Sequence, residues 1–323
     1  MTSTKLLHIV FAVALALPAA LTQAQDFPNK AIRLIVPFPP GGPADISARL
    51  IAGGLDPLLR QPVVVENRPG AGSVAAMQAL QSAPADGHTL MMASNTFAIS
   101  KWLYRSVTFD PLKDARAVAG VSKTTHVVVV APSFPGKGIN DLIRMAKERP
   151  GKVNYASAGI GNGTHLAVEL FMQLTGTQMT HVPYKGSGVA LPAVMGGQVD
   201  LYFDTLLSAY PMVKGGKLKA LGVTSLNRVE TLPDVPTLDE QGVKGFELNS
   251  WFGVVARSET PNAVVAQLNE AINKVLQTPS VRERITSSGA ILIGGGPQVF
   301  QKMIESDYVN WGKVIHSVGI RLD

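Results

Sequence analysis

Cysteine is absent from all 323 residues. Disulfides, thiol nucleophiles, Cys-ligated metals and a lipid-anchored cysteine are therefore excluded. Charge is scarce as well: Asp, Glu, Lys and Arg make up 16% of the chain, against about 25% in an average soluble domain. The balance is +6, yet Lys and Arg are dispersed, with no run longer than two and no interleaving with aromatics. Nothing in that pattern suits nucleic acid. Long apolar runs are missing too. Leu6–Leu17 falls short of the roughly 20 residues that a spanning helix needs, and later segments of that length carry charges or prolines. The sequence also lacks a G-x-S-x-G nucleophile elbow and an H-E-x-x-H zinc helix; Gly186-Ser187-Gly188 does not fit the elbow.

Ordinary hydrophobic content is present, 46%, with glycine and proline spread along the chain. That length supports one large domain or two ordinary ones. Lys5, the apolar stretch Leu6–Leu17, Pro18 and Thr22-Gln23-Ala24 together read as a secretory signal, residues 1–24, cut before Gln25. The mature chain is expected to be exported and freely soluble. A Gram-negative periplasm is the natural compartment, because only an outer membrane would retain such a protein.

The chain is organised around Ile32–Leu50: a β-branched apolar run, the turn Pro37-Phe38-Pro39-Pro40-Gly41-Gly42-Pro43, then apolar residues at helical spacing from Asp45. Asp45 is expected to cap that helix. Glycines ahead of a helix start leave N–H groups bare, an arrangement that suits an anion. The design recurs at Val153–Phe171, where Leu166, Leu170 and Leu174 are expected to share one helix face. Strands are also expected at Pro62–Glu66, Thr89–Ala93, Met179–Pro183, Val199–Phe203 and Leu218–Thr224. Asn140 is expected to cap a helix through Arg149. Lys101–Ala119 reads as loop and short helix. Val127–Ala131 and Trp251–Ala256 read as buried strands. Amphipathic helices follow Thr260-Pro261 and Pro297. Strand–helix alternation indicates an α/β fold with mostly parallel sheets covered on both faces.

IVPFPPGGPADISARLIA, VVVENRPGAGS, ADGHTL, FDPLKD, YASAGIGNGTHLAVELF, VPYKGSG, GGQVDLYFD, LPDVPTLDEQG, SWFGVVARSETP and PSVRER occur in that order. Through them the chain resembles the Bug (TctC-like) family, the periplasmic substrate-binding proteins of tripartite tricarboxylate transporters. The resemblance covers the mature length. It implies a two-lobed, type II "Venus-flytrap" fold with two crossover strands. Lobe one would then be residues 25–126 plus 251–323, and lobe two residues 127–250. It also implies a monomer that binds a small organic acid without a cofactor and presents it to transporter membrane subunits or a sensor kinase. Ala44 stands where the family often has a hydroxyl residue, and Leu191-Pro192 where it often has an acid. Both departures bear on substrate identity.

Candidate ligand contacts follow from the turns. The first loop offers Phe38, Pro40, Gly41 and Gly42, with Asp45 fixing it. Asn95 and Thr96 end a strand of the same lobe. Ser157, Gly159, Gly161, Thr164 and His165 belong to the second glycine-rich turn, which lacks the downstream acid of a dinucleotide site. Tyr184 and Lys185 follow a strand end, with Lys185 the best-placed cation, and Asp204 ends another. No histidine is spaced as a metal ligand. The competing reading is an exported hydrolase acting on a small carboxylate-containing substrate.

Overall fold

The computed structural model describes residues 27–70 and 73–318; the expected signal segment, residues 1–24, lies outside them. The first half runs β1 (Ile32–Val36), α1 (Pro43–Leu59), β2 (Val63–Asn67), α2 (Val74–Gln81), β3 (Thr89–Ser94), α3 (Asn95–Leu103), β4 (Ala115–Val130) and α4 (Ile139–Glu148). The middle continues with β5 (Asn154–Ser157), α5 (Gly163–Thr175), β6 (Thr180–Pro183), α6 (Ser187–Met195), β7 (Leu201–Thr205), α7 (Leu206–Lys214) and β8 (Lys219–Val223). The chain ends with β9 (Asn249–Arg257), α8 (Asn262–Gln277), α9 (Pro279–Thr286), β10 (Ile291–Leu292) and α10 (Pro297–Val318).

These elements build two lobes around two sheets. In one, β1 lies parallel between β2 and β3, and β3 meets β9 antiparallel. In the other, β5 lies parallel between β6 and β7. The long strand β4 serves both: Ala115–Thr125 pairs with β9, while His126–Val130 runs antiparallel to β7 and β8. β9 starts one residue after Leu248, whose N–H donates to the Thr224 carbonyl at 3.0 Å. Thr224 ties both crossings together, because its hydroxyl accepts from His126 N–H and donates to the Leu248 carbonyl.

Side-chain alternation explains why each sheet is covered twice. Ile32, Leu34 and Val36 face the cluster that contains α1 and α8, whereas Ile35 faces the one that contains α3 and α10. Val128 and Val130 likewise face one core of the second lobe, and Val127 and Val129 the other. Trp311 of α10 packs against both lobes.

Several local expectations are corrected. The helix α1 starts at Pro43 with Gly42 as its cap, so Asp45 lies inside the first turn. Gly138, not Asn140, caps α4. Leu174 is exposed although Leu166 of the same helix is buried. Part of Lys101–Ala119 is strand, since β4 begins at Ala115. Small residues and two register shifts, around Ala117/Ala119 and Gly120/Ser122, blur its alternation.

Gly253 packs closely within the first lobe. A Cβ built there would stand 2.3–2.7 Å from ring carbons of Phe300. Gly253→Ala is therefore expected to cost about 1–3 kcal/mol through overpacking. The check is the urea midpoint, which should fall with an unchanged slope; an unchanged midpoint would mean that Phe300 moves aside freely.

Candidate ligand-binding site

Between the lobes lies a cavity with about 490 Å³ of empty space, part of it open to solvent. The space is narrow. The narrowness comes from contact between the β1–α1 and β6–α6 loops. A Cβ on Gly188 would stand 3.2 Å from the Pro40 carbonyl, and one on Gly186 would be 3.6 Å from the Pro39 ring.

Five helices bring their N-terminal ends to this cavity, counted among the described residues. They are α1 at Gly42–Ala44, α3 at Ser94–Thr96, α5 at Asn162–Thr164, α6 at Gly186 and Ser187, and α7 at Asp204 and Thr205. The geometry follows from parallel strands, each of which delivers its chain to the carboxyl edge of the sheet before the next helix starts. Each N-terminus favours an anion by about 0.3–1 kcal/mol, and up to ~2 in partly buried settings. The lining includes neither Lys nor Arg, and its one ionisable group is the Asp204 carboxyl. The attraction for an anion is thus built from backbone dipoles.

The first loop is held from behind. Asp45 Oδ2 accepts from Gly41 N–H at 3.0 Å and from Arg49 Nε at 2.9 Å, while Oδ1 accepts from Asn67 Nδ2 at 2.9 Å. Asn67 Nδ2 also donates to the Phe38 carbonyl. Gly41 has φ +84°, a left-handed conformation that glycine adopts without strain. Burial of Asp45 would raise its pKa, but the hydrogen bonds from Arg49, Gly41 and Asn67 outweigh that and hold it low. The carboxylate is spent on the loop, and the N–H groups of Gly42 and Ala44 stay clear of it.

Asp204 is fully buried at the end of β7. It accepts from Ser187 Oγ at 2.8 Å, Thr205 N–H at 2.8 Å and Ser208 Oγ at 2.6 Å. Burial nevertheless pushes its carboxyl up to about 6.

Asn95 lines the cavity, but its carboxamide is committed elsewhere. Oδ1 accepts from Trp251 N–H at 2.9 Å, and Nδ2 donates to Asp307, which also accepts from Trp251 Nε1 at 2.7 Å. Burial raises the pKa of Asp307. What Asn95 offers the cavity is its place in the first turn of α3. Ser94 Oγ, in contrast, is buried and has no protein partner.

The second glycine-rich turn rests on a stack of rings. His165 and His181 lie 4.0 Å apart, and Tyr155 is 4.9 Å from His181. Gly161 N–H donates to His165 Nδ1, and Gly159 N–H to Ser157 Oγ, which meets His181 Nε2 at 2.6 Å. Burial, then the neighbouring His165, lowers the His181 pKa to about 4. These histidines shape the turn from beneath. Among the described residues, no three side chains are grouped as metal ligands.

Of the residues expected at the site, Phe38, Gly42, Asn95, Thr96, Thr164 and Asp204 line the cavity. Pro40 and Gly41 meet Gly188 at the contact between lobes. Asp45, Ser157, Gly159, Gly161 and His165 take part in the hydrogen bonds that hold the two loops. Tyr184 packs on a core of the second lobe, and Lys185 is exposed and does not line the cavity. Sequence reasoning missed Ser94, Asn162, Ser187, Ser250 and Phe252. The first three stand at strand-to-helix junctions and could have been found by that position; Ser250 and Phe252 sit within β9 and carried no such signal.

Residues 47–320 match the family described as the tripartite tricarboxylate transporter family receptor. Protein BugT of Bordetella pertussis is 35% identical over 325 residues, spanning 100% of both chains. A Rhodopseudomonas palustris protein solved with adipate is 34% identical, with a TM-score of 0.88 over 92% of this chain and 100% of its own. MatC of Rhodopseudomonas palustris, solved with bound malate, is 32% identical, with a TM-score of 0.86 over 90% of this chain and 100% of its own.

Proposed function

Because the chain belongs to the tripartite tricarboxylate transporter receptor family, we propose that it is a periplasmic receptor that closes its lobes on a small dicarboxylate. The observation that carries this is the convergence of five helix N-termini on one cavity without a basic side chain. Two come from the first lobe and three from the second, so a ligand with a carboxylate at each end meets bare N–H groups on both sides. Adipate and malate, bound by the two solved relatives, are both of this class. Receptors of this family are not enzymes, and nothing in the site supports the hydrolase reading.

Closure is a hinge motion about β4 and β9, with lobes of residues 25–126 plus 251–323 and residues 127–250. A ligand that touches both lobes only when they are closed stabilises that form. The receptor works as a monomer after removal of residues 1–24, and delivers its acid to transporter membrane subunits or a sensor kinase.

The test is the melting temperature of mature, ligand-stripped protein against succinate, malate, adipate, citrate and aspartate. A ligand at 100 times its Kd should add about 2.7 kcal/mol to stability. A saturable rise with the dicarboxylates is the expected result. A flat response to every acid overturns the reading.

A further inference from the structure

Ser250 and His126 stand where β9 and β4 run side by side through the hinge, outside every loop that builds the two glycine-rich turns. His126 Nε2 lies 2.7 Å from Ser250 Oγ. The His126 ring is wholly buried, and its Nδ1 has no hydrogen-bond partner. Ser250 lines the cavity, and its Oγ is 3.9 Å from where a Cβ on Gly163 would stand, beside the first turn of α5.

The unpartnered Nδ1 decides which way this pair points. A proton on Nδ1 would be a buried donor with no acceptor. Nε2 would then take the Ser250 proton and leave only oxygen lone pairs facing the cavity. A proton on Nε2 leaves just a bare ring lone pair without a partner, the lesser penalty, since orphaned donors are the rarer defect in proteins. Ser250 Oγ then accepts from Nε2–H and keeps its own proton free. Burial holds the His126 pKa near 3, so the ring stays neutral and the direction does not change across physiological pH. A hydroxyl whose oxygen is held from behind by an N–H turns its proton away from it, here into the cavity.

We propose that Ser250 is a ligand-binding residue supplied by the hinge, donating its hydroxyl proton to a ligand carboxylate oxygen at the N-terminus of α5. His126 is the positioning residue that turns this proton inward. The inference rests on the receptor reading and adds to it a donor that belongs to a crossover strand, in place when the lobes are open as well as when they are closed.

The experiment is isothermal titration of the mature wild type, Ser250→Ala, His126→Leu and His126→Gln with succinate, malate and adipate. Ser250→Ala and His126→Leu should each weaken binding about ten- to a hundredfold, the range for a hydrogen bond to a charged group. His126→Gln, which presents an N–H near the position of Nε2, should bind close to wild type, a rescue that a purely structural histidine would not allow. Nitrogen-15 spectra of labelled histidine should show His126 protonated on Nε2 and bare on Nδ1, a readout independent of how well any variant folds. Undiminished binding by Ser250→Ala, or a proton found on Nδ1, overturns the inference while leaving the receptor reading intact. A wild type that binds none of the acids removes both.

Discussion

Asp204→Asn should remove one pH-dependent contribution that the wild type carries in both stability and ligand affinity. Burial pushes the Asp204 carboxyl up to about 6, although Ser208, Ser187, Thr205 and Tyr202 all pull it down. In the unfolded chain it titrates near about 3.9. Between those two values the native state holds a proton that the unfolded state has lost, so stability falls as pH rises through that window. A difference of about two units corresponds to about 3 kcal/mol, present in full only below the unfolded value and gone above the folded one. Asp45 and Glu66 are shifted the opposite way, so their contribution is lost only at lower pH, beneath this window. Asparagine keeps an acceptor for Thr205 and Ser187 and carries no charge. Buried His126 and His181, held at about 3 and about 4, pull the other way in both proteins. They raise stability with pH up to their unfolded value near about 6.5. The readout is therefore the difference between urea midpoints of the ligand-free proteins, and the wild type should lose ground to Asp204→Asn as pH rises from about 4 to about 8. Parallel profiles would sink the idea.

The same proton governs binding. Ionised Asp204 places a like charge in the wall of a cavity meant for an anion, and in a water-poor space such repulsion is weakly screened. Wild-type affinity for a dicarboxylate should rise as pH falls toward 6, whereas Asp204→Asn should bind more tightly near pH 8 and respond little to pH. Equal pH profiles by titration calorimetry would assign the dependence to other groups.

Gly188→Val should separate folding from closure. Gly188 lies in the first turn of α6 with an ordinary helical backbone. A side chain there carries no conformational penalty, and replacing glycine in a helix typically helps by a few tenths to about 1 kcal/mol. The obstacle is across the cleft: a Cβ would meet the Pro40 carbonyl at 3.2 Å and the Gly41 backbone at 3.8 Å. Backbone cannot yield as a side-chain tip can, so the added methyls of valine hold the two loops apart. Overpacking of this kind costs about 1–3 kcal/mol, which predicts a loss of affinity of roughly five- to a hundredfold. The ligand-free melting temperature should stay level or rise, and small-angle scattering should show an extended form even with ligand present. Full affinity with a compact bound form would mean that the loops part and rejoin without cost.

Much of this architecture is local and therefore readable in the chain. The run Ile32–Val36 alternates between two cores because successive strand residues face opposite ways, and that pattern is printed in the sequence. Gly41-Gly42 ahead of α1 and Gly161 ahead of α5 announce bare helix starts in the same way. The beginning of β4 was not readable, since Ala115–Gly120 is built from small residues and bulges that obey no single period.

Proximity in sequence to a promising turn misled in one place. Lys185 follows the end of β6 yet stays exposed, because the close approach of Gly186 and Gly188 to the opposite loop leaves the cavity to the backbone and to Ser187. Asn95 was found by position, but its carboxamide reaches Asp307, 212 residues away. Ser250 and His126, 124 residues apart, meet only because both crossover strands pass the same point.

Apart from the start of β4, which segments form strands and helices, and which helix starts follow glycine turns with free N–H groups, is settled locally along the chain. Periodicity and glycine placement act over a few residues and do not depend on neighbours brought from afar. The order of strands in two sheets joined by β4 and β9 decided which of those ends share one cavity. It also decided which buried proton the cavity must accommodate and which hydroxyl the hinge turns inward. Burial and pairing are properties of the assembled lobes, and no spacing along the chain encodes them.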